Sequence, residues 1–411
     1  MRRLRSLDLI RGAGILVVVF LHASLYQYDG LLALDLKNPP PVITVIGFML
    51  MWAGLFAIVS GASHMFTWTD RIGEKSADPG RMRRSLLITG ALLLVLNLAY
   101  FQLLGPTLLD IPGGRHQYAL LNGLIETGRL PGLYWQRFFY NTSISMLGWN
   151  CILLGLLAPL LFPRGAARPG LRTPALLAGI GSALVLASYV RLPLYPVVEK
   201  AVNGSDLLTA FLGAALINKN DPLLPYLGFA LIGAALGHAF ASPMPRKTVT
   251  LWAAAFGVAW LAAGAVGYVL LPDTMLERSV DEMWFTIIVA QVGLFALLVA
   301  LSWRSVDARA PAPPRRPGPW RLCGSASLTI FIWETPVRSL YARLWDVIFP
   351  GWSARIPVVL LFALTMVLIW LAAISLWKRA RFVGSMEWLV GRIYAVLGRP
   401  SAKEKAFAAG R

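Results

Sequence analysis

The stretch Leu7-Asp8-Leu9-Ile10-Arg11-Gly12-Ala13-Gly14-Ile15-Leu16-Val17-Val18-Val19-Phe20-Leu21-His22 decides how this chain is read. It has the apolar density of a membrane segment, yet it carries an acid, a guanidinium and an imidazole. A helix turns about 100° and rises about 1.5 Å per residue, so the step from Arg11 to His22 brings both side chains within roughly 20° of one face, about 16 Å apart along the axis. Ionisable groups inside a span are costly to bury, and the default reading is a functional site facing a polar cavity or a partner. The competing reading pairs Arg11 with Asp8 at i,i+3 at the interface and leaves His22 as a simple hydrogen-bond partner of a neighbouring helix.

The rest of the chain repeats that apolar density. Of 411 residues 57% are hydrophobic and 14% charged, with a mean hydropathy of +0.63. A soluble enzyme carries nearer about 25% charge, so the composition indicates a polytopic membrane protein. The net charge of +18 does not indicate nucleic acid as a partner, because the lysines and arginines sit in short loops between apolar runs. That is the pattern of cytoplasmic loops facing anionic lipid. Cys151 and Cys323 fall in or beside apolar runs, which supports neither a disulfide framework nor a metal cluster. Arg2, Arg3 and Arg5 ahead of an apolar run resemble a signal peptide, but Asp8 and Arg11 interrupt the run, and the segment is expected to stay.

Reading for stretches of about 20 apolar residues gives an all-α, polytopic transmembrane helical bundle of about 10 spans. Their expected extents are 8–27, 43–66, 85–104, 144–162, 175–192, 224–242, 249–271, 284–303, 322–341 and 356–377. An even count with both termini cytoplasmic puts most of the 38 lysines and arginines inside. The inner loops are basic: Arg71 to Arg84, Arg164 to Arg172, Arg246-Lys247, and Arg304 to Arg321, the last with a Pro-rich linker at 310–317. Residues 1–377 form the membrane domain, and 378–411 form a basic cytoplasmic tail. In that tail Trp388, Leu389, Ile393 and Val396 define an amphipathic helix, Ser385 to Leu397, on the inner leaflet.

Two outer segments differ in character. Residues 105–142 hold Asp110, Arg115, His116, Glu126, Arg129, Trp135 and Arg137, and residues 193–223 hold Glu199, Asp206 and Asp221. Mixed charges with aromatics suit a polar, sugar-like acceptor, although solvated loop charges are the simpler reading.

Three spans carry distinctive residues. The second ends Phe56-Ala57-Ile58-Val59-Ser60-Gly61-Ala62-Ser63-His64, where the small side chains admit another helix or a narrow ligand, and His64 reads as interfacial. The sixth opens Pro222-Leu223-Leu224-Pro225-Tyr226-Leu227-Gly228 and continues through Gly233 and Gly237, a face for tight helix packing, to His238 at the inner interface. The ninth reads Ser325-Ala326-Ser327-Leu328-Thr329 through Trp333-Glu334-Thr335-Pro336. Glu334 needs a partner inside the membrane, which His22 or Arg338 would supply, and Pro336 weakens the local backbone ladder.

The ordered set resembles the membrane acyltransferase superfamily, which includes the acyltransferase-3 proteins and the heparan-α-glucosaminide N-acetyltransferase group. The elements are Arg11 and His22 within Leu-Asp-Leu-Ile-Arg-Gly, Phe56 with Ser60-Gly61, the Pro222 to Gly237 span, and Ser325 to Thr329. One departure stands out: many relatives have a histidine near the end of the closing motif, where this chain has Trp333-Glu334.

The resemblance implies transfer of an acyl group, acetyl above all, from cytosolic acyl-CoA to a hydroxyl or amine of a glycan or other polar acceptor at the outer face of a bacterial inner membrane. No metal is implied. Catalytic roles fall to His22 and Glu334. Donor contacts fall to Arg11, Ser60, Gly61 and the basic Arg81, Arg83 and Arg84, which would attract the CoA phosphates. His22 acts either as a general base or through an acyl-histidine. A second class of function fits the same residues, a proton-coupled transporter or lipid flippase relaying through Arg11, His22 and Glu334. A homo-oligomer is compatible with either.

Overall fold

Apolar runs of this length must satisfy their backbone hydrogen bonds internally, and they do so as helices. The computed structural model describes residues 4–33, 41, 42, 45, 52–73, 79–110, 115–161, 170–204, 206–270, 282–308 and 318–397. The Pro-rich linker at 310–317, residues 46–51 of the second expected span, loop residues 164–169 and the tail beyond 397 lie outside them.

In chain order the elements are α1 (Arg5–Tyr26), α2 (Ala53–Gly73), α3 (Pro79–Leu103), β1 (Leu108–Asp110), β2 (Arg115–Gln117), α4 (Leu120–Thr127) and α5 (Ser143–Leu161). There follow α6 (Arg172–Ala187), α7 (Arg191–Asn203), α8 (Leu207–Ile217), α9 (Leu223–Ala241), α10 (Arg246–Leu270) and α11 (Glu282–Ser302). The chain closes with α12 (Pro319–Ser325), α13 (Ser327–Ile348), α14 (Ile356–Trp377) and α15 (Met386–Leu397).

Among the described residues seven helices are long and apolar enough to cross a membrane: α1, α3, the α6–α7 pair, α9, α10, α11 and α14. The other three expected segments form α2, α5 and α13, which fall outside that set. Helix α13 carries Glu334, Arg338, Arg343 and Asp346 along its length, a polarity that its apolar residues do not offset. The ninth expected span is also not one helix. It begins in α12, breaks at Ala326 (φ −125°, ψ 24°) and restarts as α13. One departure from an all-helical chain is an antiparallel ribbon in the 105–142 segment, with Leu108 opposite Gln117 and Asp110 opposite Arg115.

Helix α9 is the centre, with 83% of its apolar window buried, against 28% for α10 at the perimeter. Perimeter helices turn large apolar side chains outward, such as Leu251, Val258 and Val269 on α10 and Leu361, Leu364 and Leu368 on α14. Hydrocarbon, unlike water, accepts such a surface without penalty.

Small residues bring the backbones together where side chains would hold them apart. A Cβ on Gly61 of α2 would lie 2.0 Å from the Ala230 carbonyl oxygen of α9, and one on Gly233 would lie 2.1 Å from that of Ile58. The same device joins α1 to α12: a Cβ on Gly12 would sit 1.8 Å from the Trp320 carbonyl oxygen, and one on Gly324 2.1 Å from that of Asp8. Helix α1 therefore has a fixed height against α12.

Carboxylates from distant elements close the N-termini of α1 and α13. Asp307, just after α11, accepts from the backbone N–H of Arg5 (2.9 Å) and of Ser6 (3.0 Å). Glu387 of α15 accepts from the N–H of Leu328 (2.7 Å) and Thr329 (3.3 Å) and from the Thr329 hydroxyl (2.5 Å). Each satisfies donors that have no partner inside their own helix and places a negative charge at the positive end of a helix dipole. The amphipathic helix expected at 385–397 is present as α15, but it is bonded to the bundle through Glu387, not laid only against a leaflet.

Candidate active site

The half-exposed stripe of α1 runs through Arg11, Val18 and His22, while Leu7, Ile15, Leu16, Val19 and Ala23 are buried against neighbours. Glu334 is buried at 2% exposure on α13. His22 Nδ1 lies 3.1 Å from Glu334 Oε2. On the other side of the carboxylate, Arg338 Nε lies 3.2 Å from Oε1, close enough for an ion pair although the N–H is not aligned for a hydrogen bond. Glu334 and Arg338 are four residues apart and so share one face of α13. Both partners named from sequence, His22 and Arg338, contact Glu334.

The surrounding residues fix the pair in place. The Thr335 hydroxyl donates to Glu334 Oε2 at 3.3 Å, and Tyr100 of α3 lies within electrostatic range of Glu334 and Arg338. The Arg338 guanidinium sits over the Tyr26 ring at 4.9 Å, and His22 meets Tyr26 edge-on at 5.4 Å and Phe331 at 6.5 Å. Pro336 lies within α13 between Glu334 and Arg338, where its missing N–H leaves the ladder open by one bond.

The geometry selects a tautomer. An ionised carboxylate only accepts hydrogen bonds, so a neutral His22 donates through Nδ1–H and keeps its lone pair on Nε2. His22 retains 25% side-chain exposure and lines a cavity of about 80 Å³. Val18, Tyr100 and Phe331 line it with His22, and the turns leading into α5 and α9 supply Thr142, Ser143, Asn220 and Asp221. A water occupies about 30 Å³ of liquid volume, so the cavity suits a few waters or a small group, not a nucleotide.

Arg11 is not part of this cavity. Its Nη2 donates to Ser63 Oγ at 3.2 Å, and its Nη1 lies 3.9 Å from Asp8 Oδ1. Between it and His22, Gly14 packs against Phe56 and Leu55 of α2. Ser60 is half-buried, whereas Gly61 is filled against α9 and serves helix spacing. Arg81, Arg83 and Arg84 are exposed on the first turns of α3. His64 and His238 are engaged elsewhere: His64 Nε2 is 3.5 Å from Cys151 Sγ, and His238 Nδ1 is 2.9 Å from Thr69 Oγ1.

Of the outer charges that the sequence offered either to an acceptor or to solvent, Arg137, Glu126 and Asp206 are engaged within the protein itself. Arg137 is 1% exposed and donates to three carbonyls, those of Phe101 (2.6 Å from Nη2), Gln117 (2.7 Å) and Pro106 (3.1 Å), so it folds the segment around itself. Burial pushes its guanidinium down to about 10. Glu126 receives the Ser339 hydroxyl (3.0 Å), Asn122 (3.2 Å) and Thr107 (3.1 Å), while Arg343 donates to its backbone carbonyl, which ties α4 to α13. Arg191 donates to the carbonyls of Ile217 and Asn218 and stacks 4.0 Å over Trp284. Asp206 caps α8 by accepting from Thr209 N–H at 3.1 Å, and the Thr209 side chain together with that N–H lowers its carboxyl below the usual range. The side chains of Asp110, Arg115 and His116 fall outside the described ones. Of the outer acids, Asp221 lines the cavity.

Comparison with protein-family models gives no match, and comparison with curated proteins gives none.

Proposed function

We propose that this chain is an integral membrane acyltransferase of about ten spans with cytoplasmic termini, carrying an acyl group, acetyl in the first instance, from cytosolic acyl-CoA to a hydroxyl or amine of a polar acceptor such as a glycan at the outer face of a bacterial inner membrane. The observation that carries the reading is the contact between His22 Nδ1 and Glu334 Oε2 at the wall of a cavity, with Arg338 holding the far carboxylate oxygen. Basic residues at the start of α3, α6 and α10 and just after α11 and α14 support cytoplasmic placement of those ends.

Acyl-CoA supplies an activated thioester carbonyl. His22 Nε2 takes the acceptor's proton as the acceptor oxygen or nitrogen bonds to the acyl carbon. Glu334, kept in place by Arg338 and Thr335, stabilises the imidazolium that results. The C–S bond then breaks, and the imidazolium returns the proton to the departing thiolate, so that ester or amide and free thiol are the products. The chain's own residues suit an anionic donor on the other side: Arg11 is half-exposed beside Ser63, and Arg81, Arg83 and Arg84 are exposed. Phosphate groups would be drawn to them.

A second reading is favoured by one observation, the trio His22, Glu334 and Arg338 set among apolar helices, which is also what a proton relay of a transporter or lipid flippase requires. Incubation of the purified protein with radiolabelled acetyl-CoA and membrane glycans separates the two. Label reaching the glycans supports the transferase; no label, with solute uptake into proteoliposomes retained, supports the transporter.

A further inference from the structure

The segment 193–223, whose acids stood out in the sequence, is built for the most part into an apolar pair of helices. We propose that the α7–α8 hairpin is seated in the outer leaflet of the membrane, its exposed face covered by lipid acyl chains and its charged tip at the headgroups. The word outer rests on the cytoplasmic termini of the proposed function; the lipid contact does not.

Helix lengths show that the hairpin is surplus to a simple span. The α6–α7 pair runs 32 residues from Arg172 to Asn203, about 48 Å of helix against a hydrocarbon core of about 30 Å. Helix α9, with 19 residues, covers about 28 Å and nearly fills that core by itself. The foot of the hairpin is held beside the residues that lead into α9: Arg191 donates from Nε to the Ile217 carbonyl at 3.2 Å and from Nη2 to that of Asn218. Gly213 lets α7 and α8 approach each other closely, since a Cβ there would lie 2.5 Å from Val198 Cγ2.

The surplus is apolar where it is exposed. On α8 the exposed residues are Leu207, Leu208, Phe211, Leu212 and Leu216, with no polar group among them. On α7, Leu194 and Val197 continue the exposed stripe of α6, in which Leu176, Ile180, Ala183, Ala187 and Val190 follow at three- and four-residue steps. The charges gather at the tip, where Glu199 and Lys200 near the end of α7 and Asp206 before α8 are exposed.

This distribution decides the occupant. Water would leave a contiguous apolar face unpaid, and such faces mark interaction surfaces. A second copy of the chain would need hydrogen bonds and a polar rim across the contact, which the α8 face does not offer. Lipid needs neither, and the α7 stripe is continuous with a surface that already faces hydrocarbon. An apolar face bounded by charge is the pattern of an element held at the acyl–headgroup boundary. Asn220 and Asp221 follow Ile217 by three and four residues and line the His22 cavity, so lipid seating of the hairpin fixes the depth of that turn.

The test places a fluorescent probe on the hairpin of the full-length protein in proteoliposomes. Cys151 and Cys323 are buried, so an NBD maleimide is directed to single added cysteines: Leu208→Cys and Phe211→Cys on α8, Glu199→Cys at the tip, and Val258→Cys on α10 as the lipid-facing reference. Phosphatidylcholine brominated high on its acyl chains is expected to quench the Leu208→Cys and Phe211→Cys probes as strongly as the reference, with iodide quenching neither. Iodide is expected to quench the Glu199→Cys probe. Iodide quenching of both α8 probes without lipid quenching overturns the proposal, as does cross-linking between copies through Phe211→Cys without lipid quenching. A separate measurement tests the side: in intact cells a membrane-impermeant maleimide should label Glu199→Cys from outside. Labelling only after lysis, with lipid quenching of α8 retained, overturns the cytoplasmic placement of the termini and leaves the lipid seating standing.

Discussion

His22 Nδ1 stands 3.1 Å from Glu334 Oε2, a contact that joins α1 to α13 across 312 residues of sequence. Glu334 is in turn 3.2 Å from Arg338. Held between a guanidinium and an imidazole, the buried carboxylate fixes the orientation of the His22 ring.

His22→Ala is expected to lower acyl transfer by about 10²- to 10⁴-fold, the usual contribution of a positioned acid–base group. Folding is expected to survive, because Glu334 keeps Arg338 and Thr335. Label transfer from acetyl-CoA measures the first and size-exclusion behaviour in detergent the second. Near-normal turnover would remove His22 from the chemistry.

Glu334→Gln is expected to act differently, since it leaves the Arg338 cation buried without its counter-charge. Breaking a buried pair from one side costs about 3–5 kcal/mol. The thermal midpoint of the single variant should fall well below that of the double variant Glu334→Gln with Arg338→Met, in which no charge is stranded. Equal midpoints would mean that an Arg338 cation left without its counter-charge costs the fold nothing, while activity should be lost in both.

Much of this pair was legible in the sequence, because an acid within an apolar run has few ways to persist. Glu334 required a partner, and both His22 and Arg338 stood out as available. The positions of the helices were legible for the same kind of reason: apolar length alone demands internal hydrogen bonding. What stayed hidden was tertiary. Tyr100 has no distinguishing spacing within α3, yet it lines the cavity with His22 and lies within electrostatic range of Glu334. Arg137 looks like any loop arginine, and only burial among the carbonyls of Phe101, Pro106 and Gln117 shows that it is architectural. The polarity of α13 was visible residue by residue, but the break at Ala326 was not, since Ser-Ala-Ser carries neither proline nor glycine.

The glycine contacts between α1 and α12 set the height of His22 relative to the rest of the site. Gly324→Ala would bring a methyl group to 2.1 Å from the Asp8 carbonyl oxygen, backbone against backbone, where nothing can swing aside. Marked destabilisation is expected, seen as loss of the monodisperse peak. Gly179→Ala in α6, where a Cβ meets nothing within 4 Å, is the matched control. It is expected to be neutral or to stabilise by up to about 1 kcal/mol through helix propensity. Equal tolerance at both positions would show that α1 and α12 are not held by this approach.

Arg137 organises the outer segment through three backbone carbonyls and the face of Phe101, 4.5 Å away. Lysine carries the charge but not the planar fork, so Arg137→Lys cannot reach several carbonyls at once. Both Arg137→Lys and Arg137→Met are expected to raise protease sensitivity within 101–140 while leaving the helices resistant. Limited proteolysis with peptide mapping checks this, and a lysine variant as resistant as the unaltered protein would assign the role to charge alone.

Glu387 offers a way to test whether the tail helix matters to the site. Its carboxylate closes the N-terminus of α13, bonding Leu328 N–H, Thr329 N–H and the Thr329 hydroxyl, while Thr329 Oγ1 accepts in return from the N–H of Met386. Glu334 follows within two turns on the same helix. Removing a helix cap costs about 0.5–2 kcal/mol, and here the loss falls on the one helix that carries both Glu334 and Arg338. Glu387→Ala should therefore speed amide hydrogen exchange at residues 327–331 and lower the turnover number, with the apparent affinity for acyl-CoA unchanged. Glu387→Gln, which keeps the two oxygen- and nitrogen-bearing arms but not the charge, should fall between. Faster exchange with unaltered turnover would confine Glu387 to stability. Turnover loss without faster exchange would mean that the tail acts on the site by another route than the cap.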